Sequence, residues 1–310
     1  MRNLVTGGAG FIGSNLVEKL IKNGEYVICL DNFSSSSKIN IKDWLNNPKF
    51  KLIEHDIIDP IEIEIDRIWH LASPASPLHY QANPIKTSKT LFLGTYNMLE
   101  LANRVGARLL MASSSEIYGN PEISPQTENY TGSVNTIGVR SCYDEGKRIA
   151  ETLCFDYNRK NSVEVRIARI FNTYGPKMLP NDGRVISNFI TQSLEKKPLT
   201  IYGNGSQTRS FCYISDLING LIKLMNSDFI GPVNLGNPQE ISIKKLAGII
   251  KSKIDNQLEF SYKSLPQDDP LMRLPSIEIA KKYLKWEPYI EINEGLTKTI
   301  NYMKEVKNEF

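Results

Sequence analysis

Short apolar runs alternate along this chain with longer stretches whose apolar positions recur at helical spacing, and the alternation begins at the first residues. Residues 3–6, 26–30, 51–55, 67–71, 108–112 and 164–170 read as strands, and residues 11–22, 85–104 and 143–159 as amphipathic helices between them. Strand, helix and strand in regular succession predict βαβ units, hence an α/β fold with a doubly wound parallel sheet. After about residue 170 the pattern loosens. Loop-rich stretches at 175–184, 203–208 and 266–275 separate short helices and strands, which predicts a smaller, interleaved second domain. The expected division is 1–170 plus a returning segment at about 211–237, against 171–210 plus 238–310, with a ligand beyond the carboxyl ends of the strands, between the two parts.

Composition narrows the function classes. The 310 residues are 41% hydrophobic and 23% charged with a formal charge of +3, an ordinary globular balance. So small and dispersed a charge argues against nucleic-acid binding and leaves acidic small molecules as partners. No apolar run approaches the ~18 residues of a membrane span, and Met1–Leu4 leads straight into a glycine-rich motif, so no secretory signal is expected. The four cysteines form no CxxC pair, which predicts reduced thiols and a cytoplasmic protein. Three scattered histidines predict no metal centre.

The first strand is followed by TGGAGFIG at 6–13, opening the first helix. Gly8, Gly10 and Gly13 satisfy GxGxxG, and Gly7, Gly10 and Gly13 satisfy GxxGxxG. Either spacing lets the backbone approach a pyrophosphate, which the helix N-terminus attracts with free N–H groups and a partial positive charge. Asp31 ends the second strand, ~20 residues on, where a carboxylate accepts hydrogen bonds from the adenosine ribose and repels a 2′-phosphate. The cofactor expected is therefore NAD rather than NADP.

A second signal is Tyr143 and Lys147, four residues apart on one helical face. An ammonium beside a phenol favours the phenolate, so Lys147 is expected to lower the Tyr143 pKa toward that of a useful base. The fifth strand runs into SSSEIYG at 113–119, which puts hydroxyls at the same sheet edge.

In this order the motifs resemble the extended short-chain dehydrogenase/reductases that modify nucleotide sugars. Further segments resemble the UDP-glucuronate decarboxylases of that family: HLASPASP at 70–77, NPIKT at 83–87, CYDEGKR at 142–148, RIFNTYGP at 169–176, NDGRV at 181–185 and GNGSQTR at 203–209. The resemblance covers roughly residues 1–300. It implies decarboxylation of UDP-glucuronate to UDP-xylose through a 4-keto sugar. Tyr143 would be the base at the sugar 4-hydroxyl, Lys147 would hold the nicotinamide ribose, Ser114 would orient the substrate and Glu116 would act as acid or base. Cofactor contacts fall to Gly7, Gly10, Phe11, Ile12 and Gly13, to Asp31 and Asn32, to Asp56 and Ile57, and to Leu71 and Ala72, besides Tyr143 and Lys147.

On the substrate side, guanidinium forks suit a diphosphate, and Arg184, Arg209 and Arg273 stand in the loop-rich part in family-like contexts. Asn172 follows the sixth strand, Ser115, Tyr202 and Gln207 complete the expected substrate contacts, and Tyr80 lies in the Pro-rich stretch where the resemblance puts contacts to the sugar carboxylate. Two features depart from the relatives: Ser115 precedes Glu116 where 4,6-dehydratases carry Asp-Glu, and Leu91 stands where the family often has Asn. A nucleotide-sugar 4-epimerase or 4,6-dehydratase is the nearest alternative; a catalytically silent NAD-binding regulatory protein is another. The resemblance also implies a homodimer, built through the helices at 85–104 and 143–159.

Overall fold

The apolar runs of the first half become strands because helices cover them from both sides. In the computed structural model, which describes residues 1–180, 182–264 and 272–307, the order is β1 (Arg2–Thr6), α1 (Phe11–Lys22), β2 (Tyr26–Asp31), β3 (Phe50–Glu54), β4 (Arg67–His70), α2 (Pro77–Ala82), α3 (Pro84–Lys89), α4 (Thr95–Val105), β5 (Arg108–Ser114), α5 (Ser141–Asn161) and β6 (Val165–Ile170). The second half continues with β7 (Thr173–Tyr174), α6 (Val185–Leu194), β8 (Leu199–Tyr202), β9 (Thr208–Ser210), β10 (Cys212–Tyr213), α7 (Ile214–Asn226), β11 (Pro232–Leu235), β12 (Glu240–Ser242), α8 (Ile243–Ile254), β13 (Phe260–Lys263) and α9 (Ile292–Glu305).

Seven strands form one parallel sheet in the order β11-β6-β5-β4-β1-β2-β3. The order reverses between β1 and β4, where Thr6 pairs with His70, and this is the switch point at which a ligand crevice opens. On α1 the buried Leu16, Val17, Leu20 and Ile21 face the sheet at helical spacing, with Lys19 and Lys22 at the end where the helix dipole favours cations.

Strand boundaries differ from those read in the sequence by one or two residues. The difference that matters is at β5, which runs on through Ser113 and Ser114 because both pair with Arg169 and Ile170 of β6. The expected helix at 85–104 is broken into α3, a π-helical turn at Thr90–Gly94, and α4. Asn83 caps α3 by accepting the Lys86 N–H, and Pro84 occupies its first position.

The segment 211–237 supplies α7, which packs on α1, and the edge strand β11. Around it lie the parallel pair β8–β13 and the antiparallel pair β9–β12. One buried cluster runs unbroken from Val5 and Leu20 through Leu217 to Leu246 and Leu296, so the smaller part shares its core with one face of the sheet. A second cluster, with Ile68, Leu99 and Ile167, fills the other face. Asn181 of the NDGRV motif and residues 266–271 of the 266–275 stretch lie outside the described residues. Among the described residues no helix is long and apolar enough to cross a membrane.

Candidate active site

A cleft of about 930 Å³ follows the carboxyl ends of the strands and is walled by both parts of the chain. Its first wall is the glycine turn. Gly7 has φ +67°, and a Cβ on Gly13 would stand 2.0 Å from the Gly7 carbonyl oxygen, so only glycine lets turn and helix approach this closely. Gly10 precedes α1 without any side-chain cap, and the first turn carries no acid, so the helix presents free N–H donors to the cleft. Asp31 accepts from Ala9 N and, through its other oxygen, from Phe33 N and the Ser36 hydroxyl. Of about four lone-pair sites on a carboxylate, one is left for a ribose hydroxyl. This cradle suits an anionic dinucleotide, and a 2′-phosphate there would meet the Asp31 charge.

Phe11, Ile12, Asn32, Ile57, Leu71 and Ala72 also line the cleft. Leu71 and Ala72 donate their N–H groups to the Thr6 hydroxyl, which holds that rim in place. Asp56 stands between His55 and Ile57 of the cleft wall, and its carboxylate accepts from Asn32 and from Lys86 of α3, which also line it.

At the catalytic end, β5 delivers Ser114 and passes into a 3-10 turn, Ser115–Tyr118, carrying Ser115 and Glu116. The buried start of α5 delivers Tyr143 and Lys147. The Ser114 hydroxyl hydrogen-bonds Tyr143. The Tyr143 ring stacks on Tyr80 at 5.0 Å between centroids and 13° between planes. Beneath them is Leu91, which fills the notch over Gly146 where a Cβ would be 2.4 Å away. The departure at position 91 therefore gives the tyrosine pair a dry, apolar floor.

The expected electrostatics of the pair are reversed. Burial pushes the Tyr143 phenol up to about 12, against the lowering hydrogen bond from Ser114, and Glu116 raises it further while Arg184 lowers it. Lys147 does not act on the phenol as expected: its Nζ donates to the Ala112 carbonyl at 2.6 Å and lies 5.7 Å from the Tyr143 ring centre. Burial pushes Lys147 itself down to about 7, and the nearby Glu151 opposes that shift.

Glu116 also departs from expectation. Despite burial, Arg273 and Arg140 hold its carboxyl down at about 2, so at neutral pH it is an anion with no proton to donate as an acid. Arg273, read from the sequence as a diphosphate fork, donates Nη2 to Glu116 at 3.0 Å, while its Nε and Nη1 are buried without a partner among the described residues. Arg140 donates to the same Glu116 oxygen, and its Nε lies 3.7 Å from Asp144.

Tyr80, Asn172, Arg184, Tyr202, Gln207 and Arg209 all line the cleft. Tyr80 is 1% exposed, with a hydroxyl that has no partner among the described residues. Arg184 pairs with Asp182 at 3.2 Å, and Gln207 donates to the Tyr202 carbonyl. Arg140 and Asp144 were missed by the sequence reading. One signal was there: Arg140 stands at the N-terminus of α5, where the helix dipole disfavours a cation, so a specific anionic partner is implied.

Comparison with known proteins agrees with this geometry. The profile of the NAD dependent epimerase/dehydratase family matches residues 3–236. UDP-glucuronic acid decarboxylase 1 of Xenopus tropicalis is 57% identical over 98% of this chain and 72% of its own length. UDP-glucuronic acid decarboxylase 6 of Arabidopsis thaliana is 56% identical over 96% of this chain and 87% of its own. The solved structure of UDP-glucuronic acid 4-epimerase from Bacillus cereus, in complex with UDP-glucuronic acid and NAD, superposes with a TM-score of 0.89 at 28% identity, over 99% of this chain and 100% of that one.

Proposed function

The chain belongs to the NAD dependent epimerase/dehydratase family and, within it, to the UDP-glucuronic acid decarboxylases, and from this membership and the cleft we infer that it converts UDP-glucuronate to UDP-xylose through a 4-keto sugar. The observation that carries the reading is Arg273: a buried guanidinium in the same cleft as Tyr143 and Ser114, with two nitrogens that have no partner among the described residues, is suited to receive a sugar carboxylate. The glycine turn and Asp31 hold the cofactor. Arg184, Arg209, Asn172, Tyr202 and Gln207 are the proposed contacts to the rest of the nucleotide sugar.

NAD, when bound along the glycine turn and Asp31, would supply the acceptor, and later the donor, of the carbon 4 hydride. Tyr143 takes the proton of the sugar 4-hydroxyl, with Ser114 holding both groups in line. The resulting ketone makes the carboxylate on carbon 5 that of a β-keto acid, so the bond to it breaks with its electrons delocalised onto the ketone oxygen. Donors from Tyr143 and Ser114 at that oxygen stabilise the enolate. Carbon 5 then takes a proton, and carbon 4 is reduced again. Net, carbon dioxide leaves and no redox change remains.

The test is turnover of UDP-glucuronate in heavy water, followed by gas analysis and proton NMR. The expected result is released carbon dioxide and UDP-xylose carrying one deuterium at carbon 5 and essentially none at carbon 4, since the hydride stays on the protein while carbon 5 is protonated from solvent. A product that keeps its carboxylate, inverted at carbon 4, would assign the chain to the epimerases instead.

A homodimer is proposed through α3, the π-helical turn after it, α4 and α5, whose outer faces expose Ile85 (71% accessible), Phe92, Tyr96 and Ile149. Sedimentation at twice the chain mass is expected, and a monomer at micromolar concentration would refute it. All four cysteines are free, three of them buried, and the proposed place of work is the cytoplasm.

A further inference from the structure

Behind the carboxylate-receiving Arg273 lies a group that the reaction as written does not use. Asp144 is buried at the start of α5, one of its oxygens 3.7 Å from Arg140 Nε and the other without a hydrogen-bond partner among the described residues. The same Arg140 holds Glu116, and Glu116 holds Arg273, so four charged side chains form one buried chain, three of them on the cleft wall.

We propose that Asp144 is a positioning residue that sets the charge of this end of the cleft. When it is neutral, two guanidinium cations face the single carboxylate of Glu116 and one positive charge is left over for the carboxylate of the substrate. When it is ionised, that surplus is cancelled. The assignment rests on the reading of the chain as an enzyme of UDP-glucuronate.

The surroundings favour the neutral form near neutrality. The groups facing Asp144 are Glu116 from the turn after β5, Arg273 from the segment following residue 271, Tyr80 from α2, and Arg140, Cys142 and Tyr143 from its own helix. Burial, and then the Glu116 charge, push its carboxyl up to about 7, against the opposing pull of Arg140 and Arg273. Below pH 7 Asp144 therefore carries its proton and the surplus positive charge stands; above it, the surplus is lost and a carboxylate ligand binds less tightly. By linkage, an anion arriving at Arg273 favours the protonated form, so binding takes up a proton.

The experiment uses the NAD-loaded protein carrying Tyr143→Phe, so that no turnover consumes the ligand, with and without Asp144→Asn. Titration calorimetry from pH 6 to 8 in two buffers of different ionisation enthalpy compares UDP-glucuronate with UDP-xylose, which lacks the carboxylate. The expected result is a dissociation constant for UDP-glucuronate that rises by about tenfold over this range, within the limit of about tenfold per pH unit for one linked proton. Proton uptake should accompany binding near pH 7, and UDP-xylose should bind independently of pH. Asp144→Asn should flatten the UDP-glucuronate curve and abolish the uptake. The inference is overturned by a flat curve in the parent protein, by equal slopes for the two ligands, or by a slope that survives Asp144→Asn. Uptake in the parent is read whether or not Asp144→Asn folds. The underlying reading fails separately, when wild-type protein releases no carbon dioxide from UDP-glucuronate.

Discussion

Tyr143→Phe lowers kcat on UDP-glucuronate by about 10²–10⁴-fold, the range that one positioned acid–base group contributes, while the fold and NAD binding persist. The change removes one oxygen, whose partner is the Ser114 hydroxyl. Ser114 still accepts from the Glu116 N–H at 3.3 Å, and only its own hydroxyl hydrogen loses a partner. The ring remains, and with it the stack on Tyr80 and the contact with Leu91, so the stability change should stay within about 1 kcal/mol. None of the glycine turn, Asp31 or the α1 N-terminus touches the lost atom. Steady-state kinetics, a melting curve and an NAD titration read the three quantities separately. Turnover near the wild-type rate would remove Tyr143 from the chemistry, and loss of NAD binding would make it a structural residue.

The elements that position the site were largely legible because their signals are local. β1, the glycine turn and α1 are contiguous in the chain, and the apolar runs stand out because a parallel sheet is buried on both faces. What could not be read depends on distance or burial. Glu116 and Arg273 are 157 positions apart and meet only because β5 and the segment after residue 271 converge on the same crevice. Lys147 was expected to lower a phenol, but a buried ammonium is itself driven toward neutrality, and its donor turned instead to the Ala112 carbonyl. The partner of Asp56 was equally out of reach, a lysine 30 positions away on α3. The break at Thr90–Gly94 was invisible because helical periodicity is the same on either side of a π turn.

Arg169→Met is expected to destabilise the protein by about 3–5 kcal/mol, the cost of stranding one partner of a buried ion pair. Arg169 enters from β6 and grips Glu151 of α5 with two nitrogens at 3.0 and 2.8 Å, while its third donates to the Tyr118 hydroxyl at 3.0 Å and the Glu128 carbonyl at 2.8 Å. Glu151 also accepts from the Ser113 hydroxyl, so sheet edge and helix are joined through one carboxylate. Truncating the arginine leaves that charge under the sheet with no cation in contact. Replacing both partners, Arg169→Met with Glu151→Leu, removes the stranded charge and should return most of the loss. Urea midpoints of the two variants measure the difference, and a single variant within about 1 kcal/mol of wild type would show that the pair is solvated in solution. Activity should part company with stability here. Glu151 opposes the burial that pulls Lys147 down to about 7, so without it Lys147 falls further and is neutral at a lower pH. The sign follows: holding the nicotinamide ribose, the role that the resemblance gives Lys147, needs the protonated ammonium, so the alkaline limb is lost first and the refolded double variant should show a pH–rate profile displaced to the acid side. An undisplaced profile in a stable double variant would mean that Glu151 serves the fold alone and leaves the charge of Lys147 untouched.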